Sequence, residues 1–271
     1  MELKDKVAIV TGASAGVGRA YVLALAEAGA TVVAAARTVG GVDGKKPQRN
    51  TLVEVVCAAD ELPGHVVAQQ CDVSAEADVV RLAAETAATF GRIDVLVNNA
   101  GVYPHYPSLA VSVSDWDDVM RVNVLGCYLT MREVAGHMIR QRSGSIINLT
   151  SLSAERTVGG SAGHRDLLAY SVSKAGVNRL TTYMAEDLKS YGIAVNALSP
   201  GAVLTETFMR VDPEVGIEAE NSGWGKPATP EVMGPAVLYL AQQTSSTLTG
   251  QILHTDEFGT TWGSVSTAVT P

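Results

Sequence analysis

Cysteine is scarce in this chain. Cys57, Cys71 and Cys127 are the only three in 271 residues, widely spaced and with no Cys-x-x-Cys. That spacing excludes a disulfide framework or a zinc site and reads as buried thiols in a reducing compartment. The five histidines are equally dispersed, without His-Glu-x-x-His or a similar ligand spacing, so no metal site is expected. Positive charge is short as well: 20 Lys and Arg against 28 Asp and Glu leave a net charge of −8. No basic stretch could neutralise a row of phosphates, and nucleic acid is not expected as a partner. Nor does any apolar run approach the ~20 residues that span a bilayer. The opening Met1-Glu2-Leu3-Lys4-Asp5-Lys6 leads straight into a strand, with no room for a signal peptide. The expectation is a cytoplasmic protein that engages no membrane.

What the chain does have is apolar content, 46% of its residues, enough to bury the core of one large domain. β-Branched runs at 7–11, 31–36, 66–70, 93–97, 145–149, 194–198 and 251–254 alternate with Ala/Leu-rich amphipathic segments. Those segments lie near 16–29, 50–61, 75–90, 115–141, 168–191 and 229–242. The alternation predicts an α/β, doubly wound fold: a mainly parallel, seven-stranded sheet with helices on both faces. Several runs are almost wholly apolar, as strands buried on both sides are. No linker or repeat divides the chain, and 1–271 is expected to form a single domain. Two stretches break the rhythm. Residues 38–50, with Gly40, Gly41, Gly44 and Pro47, are either a binding loop or a surface excursion. Residues 203–227, with Pro213 and Trp224, read as a substrate lid.

Two motifs carry chemistry. Thr11-Gly12-Ala13-Ser14-Ala15-Gly16-Val17-Gly18 sits where the first strand turns into the first helix. Glycines there allow a tight turn, close approach of backbone to a pyrophosphate, and a helix N-terminus that offers N–H donors. Farther on, Tyr170-Ser171-Val172-Ser173-Lys174 sets a phenol and an ammonium one helical turn apart, with Cβ atoms roughly 5–6 Å from each other. A free tyrosine titrates near ~10. The ammonium favours the phenolate and is expected to lower that value toward general acid–base use.

The spacing Gly-x-x-x-Gly-x-Gly is followed in order by Cys71-Asp72-Val73, Asn98-Asn99-Ala100-Gly101, Asn123, Ser151, Tyr170/Lys174 and Pro200-Gly201. In these motifs the chain resembles the short-chain dehydrogenase/reductase family over nearly its whole length, with a Rossmann-type fold as the implied architecture. The resemblance implies a nicotinamide coenzyme held by Gly12, Ser14, Gly16, Val17, Gly18, Arg37, Asp72, Val73, Asn99, Ala100, Gly101, Tyr170, Lys174, Pro200, Gly201, Val203 and Thr205. Asp72 resembles the residue that bonds the adenine amino group, with helix capping as its alternative; Ser74 could cap instead. Asn98 is expected as a ribose or structural contact. Thr205 resembles the threonine that meets the nicotinamide carboxamide.

An NAD-specific site has an acidic residue about ~20 positions past the glycines, bonded to the ribose 2′-hydroxyl. Here that position aligns with Ala36, and the next residue, Arg37, can clamp a 2′-phosphate. NADP(H) is therefore the preferred coenzyme. NAD(H) stays possible, because Ala15 stands where some NADP-binding members carry a basic residue and Asp43 could reach back.

Asn123, Ser151, Tyr170 and Lys174 resemble the family's catalytic set. The resemblance implies that Tyr170 exchanges a proton with the carbonyl or alcohol oxygen and Ser151 hydrogen-bonds that oxygen. Lys174 would lower the tyrosine pKa and bond the nicotinamide ribose, and Asn123 would anchor a water relay. Ser151 and Tyr170 stand 19 apart, where about a dozen is usual in the family; the excess falls in the glycine-rich 157–166. That insertion either shapes substrate entry or bulges into solvent. Tyr103, His105, Ser153 and Trp224 are the substrate candidates, suited to an apolar, aromatic or alicyclic small molecule.

The expected activity is hydride transfer between a nicotinamide coenzyme and a ketone, aldehyde or alcohol. A same-fold lyase or epimerase, or a coenzyme-binding regulator without turnover, are the alternatives. Helices 115–141 and 168–191 imply by resemblance a homotetramer, or failing that a dimer.

Overall fold

The computed structural model describes residues 2–40, 42–43, 46–47, 49–155, 167–201, 203, 205 and 228–263, with backbone only at 42–43 and 46–47. Seven strands form one sheet: β1 Val7–Thr11, β2 Thr31–Ala36, β3 His65–Gln70, β4 Val95–Asn98, β5 Gly144–Leu149, β6 Ile193–Ser199 and β7 Ile252–His254. All neighbours run parallel, in the order β3-β2-β1-β4-β5-β6-β7. Outside the sheet, Val42–Asp43 and Lys46–Pro47 pair as a two-residue hairpin within the loop after β2.

Alternate strand residues feed two cores. Ala8, Val10, Val32, Ala34, Val95 and Val97 pack on one face with Tyr21, Val22 and Leu25 of α1 (Gly16–Glu27), Val55 of α2 (Leu52–Ala58) and Val237 of α7 (Gly234–Leu240). Ile9, Val33, Leu96, Ile146 and Val195 point the other way. They meet Val79 and Leu82 of α3 (Glu76–Phe90), Met131 and Val134 of α5 (Gly126–Gln141) and Val177 of α6 (Leu168–Leu188). A doubly wound, Rossmann-type sheet results because β1, β2, β4, β5 and β6 are buried on both faces.

Parallel pairing brings every carboxyl end to one edge. Strand order reverses between β1 and β4, which opens the crevice where such sheets take ligands.

Element boundaries depart from the sequence reading in instructive places. The fourth strand begins at Val95 because the Ile93 N–H is taken by Gln141 Oε1 at 2.9 Å and the Asp94 N–H by the Val7 carbonyl. The segment expected as one helix over 115–141 divides into α4 (Val113–Met120), a π-helical stretch Arg121–Leu125, and α5. The π stretch inserts a residue into the helical phase at Asn123, a type of irregularity frequent at functional sites. Among the described residues no helix is long and apolar enough to cross a membrane, and no three His, Cys, Asp or Glu side chains gather to hold a metal ion.

Candidate active site

The crevice has two ends. At the first, β1 stops at Thr11 and the chain turns into α1. Thr11 Oγ1 accepts hydrogen bonds from the Asn99 and Ala100 N–H groups, both at 3.1 Å, tying this turn to the one that follows β4. Asn99 Nδ2 donates to the carbonyls of Thr11 (2.9 Å) and Gly12 (3.0 Å). The glycines are required by that proximity. A Cβ on Gly12, whose φ is +64°, would stand 2.8 Å from Ala100 Cα; one on Gly18 would collide with the Gly12 carbonyl oxygen and Asn99 Nδ2. Ala15, at the N-cap of α1, offers no side-chain acceptor. The first N–H groups of the helix are thereby left for an external anion. Ser14, Gly16 and Val17 lie partly exposed along this turn, with Thr205 beside Gly16.

Arg37 is exposed at the carboxyl end of β2, directly after buried Ala36. Its backbone carbonyl accepts from Gln70 Nε2 at 3.0 Å, and no ion pair engages its guanidinium among the described residues. Asp72 follows β3. One of its oxygens accepts from both the N–H (2.9 Å) and the hydroxyl (2.7 Å) of Ser74, closing a local turn. Neither residue caps α3, whose N-cap is Ala75 without a side-chain bond. Val73 is buried beneath Gly126.

Asn98 and Asn99 are neighbours with different duties. Asn98 is buried, donating to Asn148 Oδ1 at 2.9 Å and accepting from Thr130 Oγ1 at 2.6 Å. It is a structural contact between β4, β5 and α5. Asn99, Ala100 and Gly101 instead border the crevice. Pro200 and Gly201 follow β6, and buried Val203 forms a bridge with Ala228.

At the other end, Ser151 emerges two residues after β5 and is buried. Its oxygen accepts from the Ser153 hydroxyl at 3.0 Å, and the Ser151 side chain lies near enough to the Tyr170 phenol to favour its ionised form. One turn along α6, buried Lys174 places Nζ 5.6 Å from the Tyr170 ring centroid and donates to the Leu149 carbonyl at 2.7 Å. Asn123, on the π stretch, is almost fully buried. Its Oδ1 accepts from the Val102 N–H at 2.8 Å, and its Nδ2 donates to the Val102 carbonyl and to Ser173 Oγ, both at 2.9 Å. Gly101 lies between this amide and the lysine: a Cβ there would be 3.3 Å from Asn123 Oδ1 and 3.6 Å from Lys174 Nζ.

Burial dominates the electrostatics. It pushes the Tyr170 phenol up to about 12, against the opposing influence of the Ser151 side chain and with the nearby Tyr103 phenol adding to the rise. Burial also pushes Lys174 down to about 8. The sequence reading had the lysine charge lowering the phenol. The shift runs the other way, because desolvation of the phenolate is the largest influence on it.

Tyr103 stands edge-to-face with Tyr170, ring centroids 6.0 Å apart, and His105 is 6.3 Å beyond Tyr103. Tyr103 therefore stands against Tyr170, His105 against Tyr103, and Ser153 against Ser151. Trp224, the 157–166 insertion and all of 203–227 except Val203 and Thr205 lie outside the described residues. Sequence reasoning missed Ser173, which donates to the Tyr170 carbonyl at 2.6 Å while accepting from Asn123. The available signal was a serine three residues after the tyrosine, within reach of an i−3 carbonyl.

Residues 6–216 match the family of short chain dehydrogenases. A 3-oxoacyl-(acyl-carrier-protein) reductase of Thermotoga maritima is 35% identical over 258 residues, covering 94% of this chain and 98% of its own. A (2S)-((R)-hydroxy(phenyl)methyl)succinyl-CoA dehydrogenase subunit of Thauera aromatica is 32% identical, covering 94% and 96%. Among solved structures, a short-chain type dehydrogenase/reductase from Mycobacterium marinum superposes with a TM-score of 0.83 at 29% identity, covering 93% of this chain and 94% of that one.

Proposed function

The chain belongs to the short-chain dehydrogenase/reductase family of oxidoreductases, and from that premise we propose that it interconverts a ketone or aldehyde and an alcohol by hydride transfer, with NADP(H) as preferred coenzyme. The observation that carries the reading is the gathering of Tyr170 with buried Ser151 and Lys174, Lys174 Nζ standing 5.6 Å from the Tyr170 ring, at the carboxyl edge of the sheet. The uncapped α1 N-terminus and the glycine-walled turn suit a pyrophosphate, and the exposed Arg37 suits a 2′-phosphate. When bound, the nicotinamide supplies or receives the hydride.

The chain's own residues handle the proton. With its pKa raised, Tyr170 is protonated at neutral pH and is a donor to a carbonyl oxygen as charge develops there. Ser151 is placed to hydrogen-bond the same oxygen. Lys174, mostly charged below its pKa of about 8, steadies the phenolate left behind and reaches the ribose side of the crevice. Asn123 holds the wall beside the lysine, where a water relay to solvent would pass. Asp72, Val73, Asn99, Ala100, Gly101, Pro200, Gly201, Val203 and Thr205 complete the coenzyme contacts in this reading. The relatives named as a reductase of 3-oxoacyl groups and as a dehydrogenase support carbonyl–alcohol chemistry. The protein acts as a homotetramer in the cytoplasm.

A panel of ketones, aldehydes and alcohols, assayed with NADPH and NADH side by side for the native chain and Arg37→Ala, tests this reading. Turnover with NADPH preferred is expected. Arg37→Ala should weaken NADPH by about 10- to 100-fold and leave NADH nearly unchanged. Equal losses would remove Arg37 from the coenzyme assignment, and no turnover with any carbonyl or alcohol would remove the oxidoreductase reading.

A further inference from the structure

We propose that Tyr103 is the specificity-determining wall of this site, selecting flat, ring-bearing ketones and alcohols over straight-chain ones. The inference rests on the oxidoreductase reading above and narrows it to a substrate class.

Two observations carry it. The first is ring geometry. Tyr103 meets Tyr170 at 6.0 Å with the planes inclined by 64°, and His105 continues the row at 6.3 Å and 70°. A substrate whose oxygen lies between Ser151 and Tyr170 has its adjoining carbons against this row of rings. Aromatic side chains favour a flat partner in offset or edge-on contact.

The second is the way the row is fixed. Val102, the backbone neighbour of Tyr103, exchanges two hydrogen bonds with the Asn123 amide. The same Nδ2 donates to Ser173 Oγ, which donates in turn to the carbonyl of Tyr170. Asn123 and Ser173 are 1% and 0% exposed, so water does not compete for these bonds. A buried polar bridge thus joins the backbone beside one tyrosine to the backbone of the other, so both rings stand on one braced frame. A wall built in advance loses no freedom when a rigid substrate arrives, whereas a flexible chain must still order its own torsions against it. Selectivity for rings follows from that difference.

The test compares kcat/KM for acetophenone and 2-octanone with NADPH in four proteins: native, Tyr103→Phe, Tyr103→Leu and Ser173→Ala. The native protein should favour acetophenone, and Tyr103→Phe should keep that ratio because the ring remains. Tyr103→Leu should cut the ratio by ~3- to 10-fold, through KM more than kcat. Ser173→Ala, with the circular dichroism of the native fold, should cut it by less. A ratio unchanged in Tyr103→Leu, or lost equally in Tyr103→Phe, overturns the proposal. If the native protein turns over neither ketone, saturation-transfer NMR of the same two compounds with the NADPH-loaded protein decides the matter separately. An acetophenone signal kept by Tyr103→Phe and lost by Tyr103→Leu supports the wall; equal signals in all four proteins remove it.

Discussion

Around Gly12 and Gly18 the geometry is set by side chains that are absent, whereas around Tyr170 it is set by buried polar side chains that hold one another. At the glycine turn the backbone that follows β1 lies against Ala100 and Asn99 so closely that a single Cβ would displace it. At the tyrosine, Asn123, Ser173, Lys174 and the Leu149 carbonyl form hydrogen bonds within the protein. The difference teaches where each half can fail. The first is sensitive to added volume, the second to lost partners or altered charge.

The larger effect should come from the polar half. Lys174→Met keeps the length of the side chain and removes its charge, and turnover should fall by about 100-fold or more. The same variant reports on stability. The lysine pKa, about 8 when folded, lies below its unfolded value of ~10.4, so the unfolded chain binds the additional proton between those limits. Native stability therefore carries the full cost of the buried charge below about pH 8 and rises with pH through that window. Lys174→Met should be the more stable protein in urea at pH 7, with the gap closing as pH approaches 10. A gap that does not change with pH would show that Lys174 titrates normally. Above pH 10 the raised Tyr170 pKa acts in the opposite sense, and stability is lost as pH rises toward 12.

A smaller effect is expected in the half built on absence. Gly18→Ala adds one methyl group within α1, where helix propensity alone would favour alanine by ~1 kcal/mol. The collision with the Gly12 carbonyl and Asn99 should outweigh that gain, for a net loss of about 1–2 kcal/mol. Calorimetry should show a lower Tm, together with weaker NADPH binding. A Tm equal to or above the native value would mean that the turn relaxes freely and that its glycines are not required by packing.

The glycine half was the more legible in sequence, because backbone demands leave a fixed spacing of one residue type. The strand and helix order was legible too, since apolar alternation and Ala/Leu periodicity differ clearly. The polar half was legible only as positions. That Asn98 is structural while Asn99 binds the Thr11–Gly12 turn depends on which way each side chain faces at a strand end. Apolar periodicity runs across 115–141 without a break, so the π stretch that seats Asn123 left no mark that a single sequence reveals. Ser173 looked like a spacer inside Tyr-x-x-x-Lys, and its role exists only once Asn123 arrives from another helix. The direction of the Tyr170 shift was missed for the same reason: spacing reports the nearby charge, but not how completely the phenol is desolvated.

Tyr170→Phe isolates the proton transfer, because it deletes one hydroxyl and keeps the ring that packs on Tyr103. Turnover of a carbonyl substrate should fall by about 100- to 10,000-fold, while the Kd for NADPH, followed by fluorescence titration, should stay within about 2-fold. Turnover retained in Tyr170→Phe would contradict the proton-donor role of Tyr170.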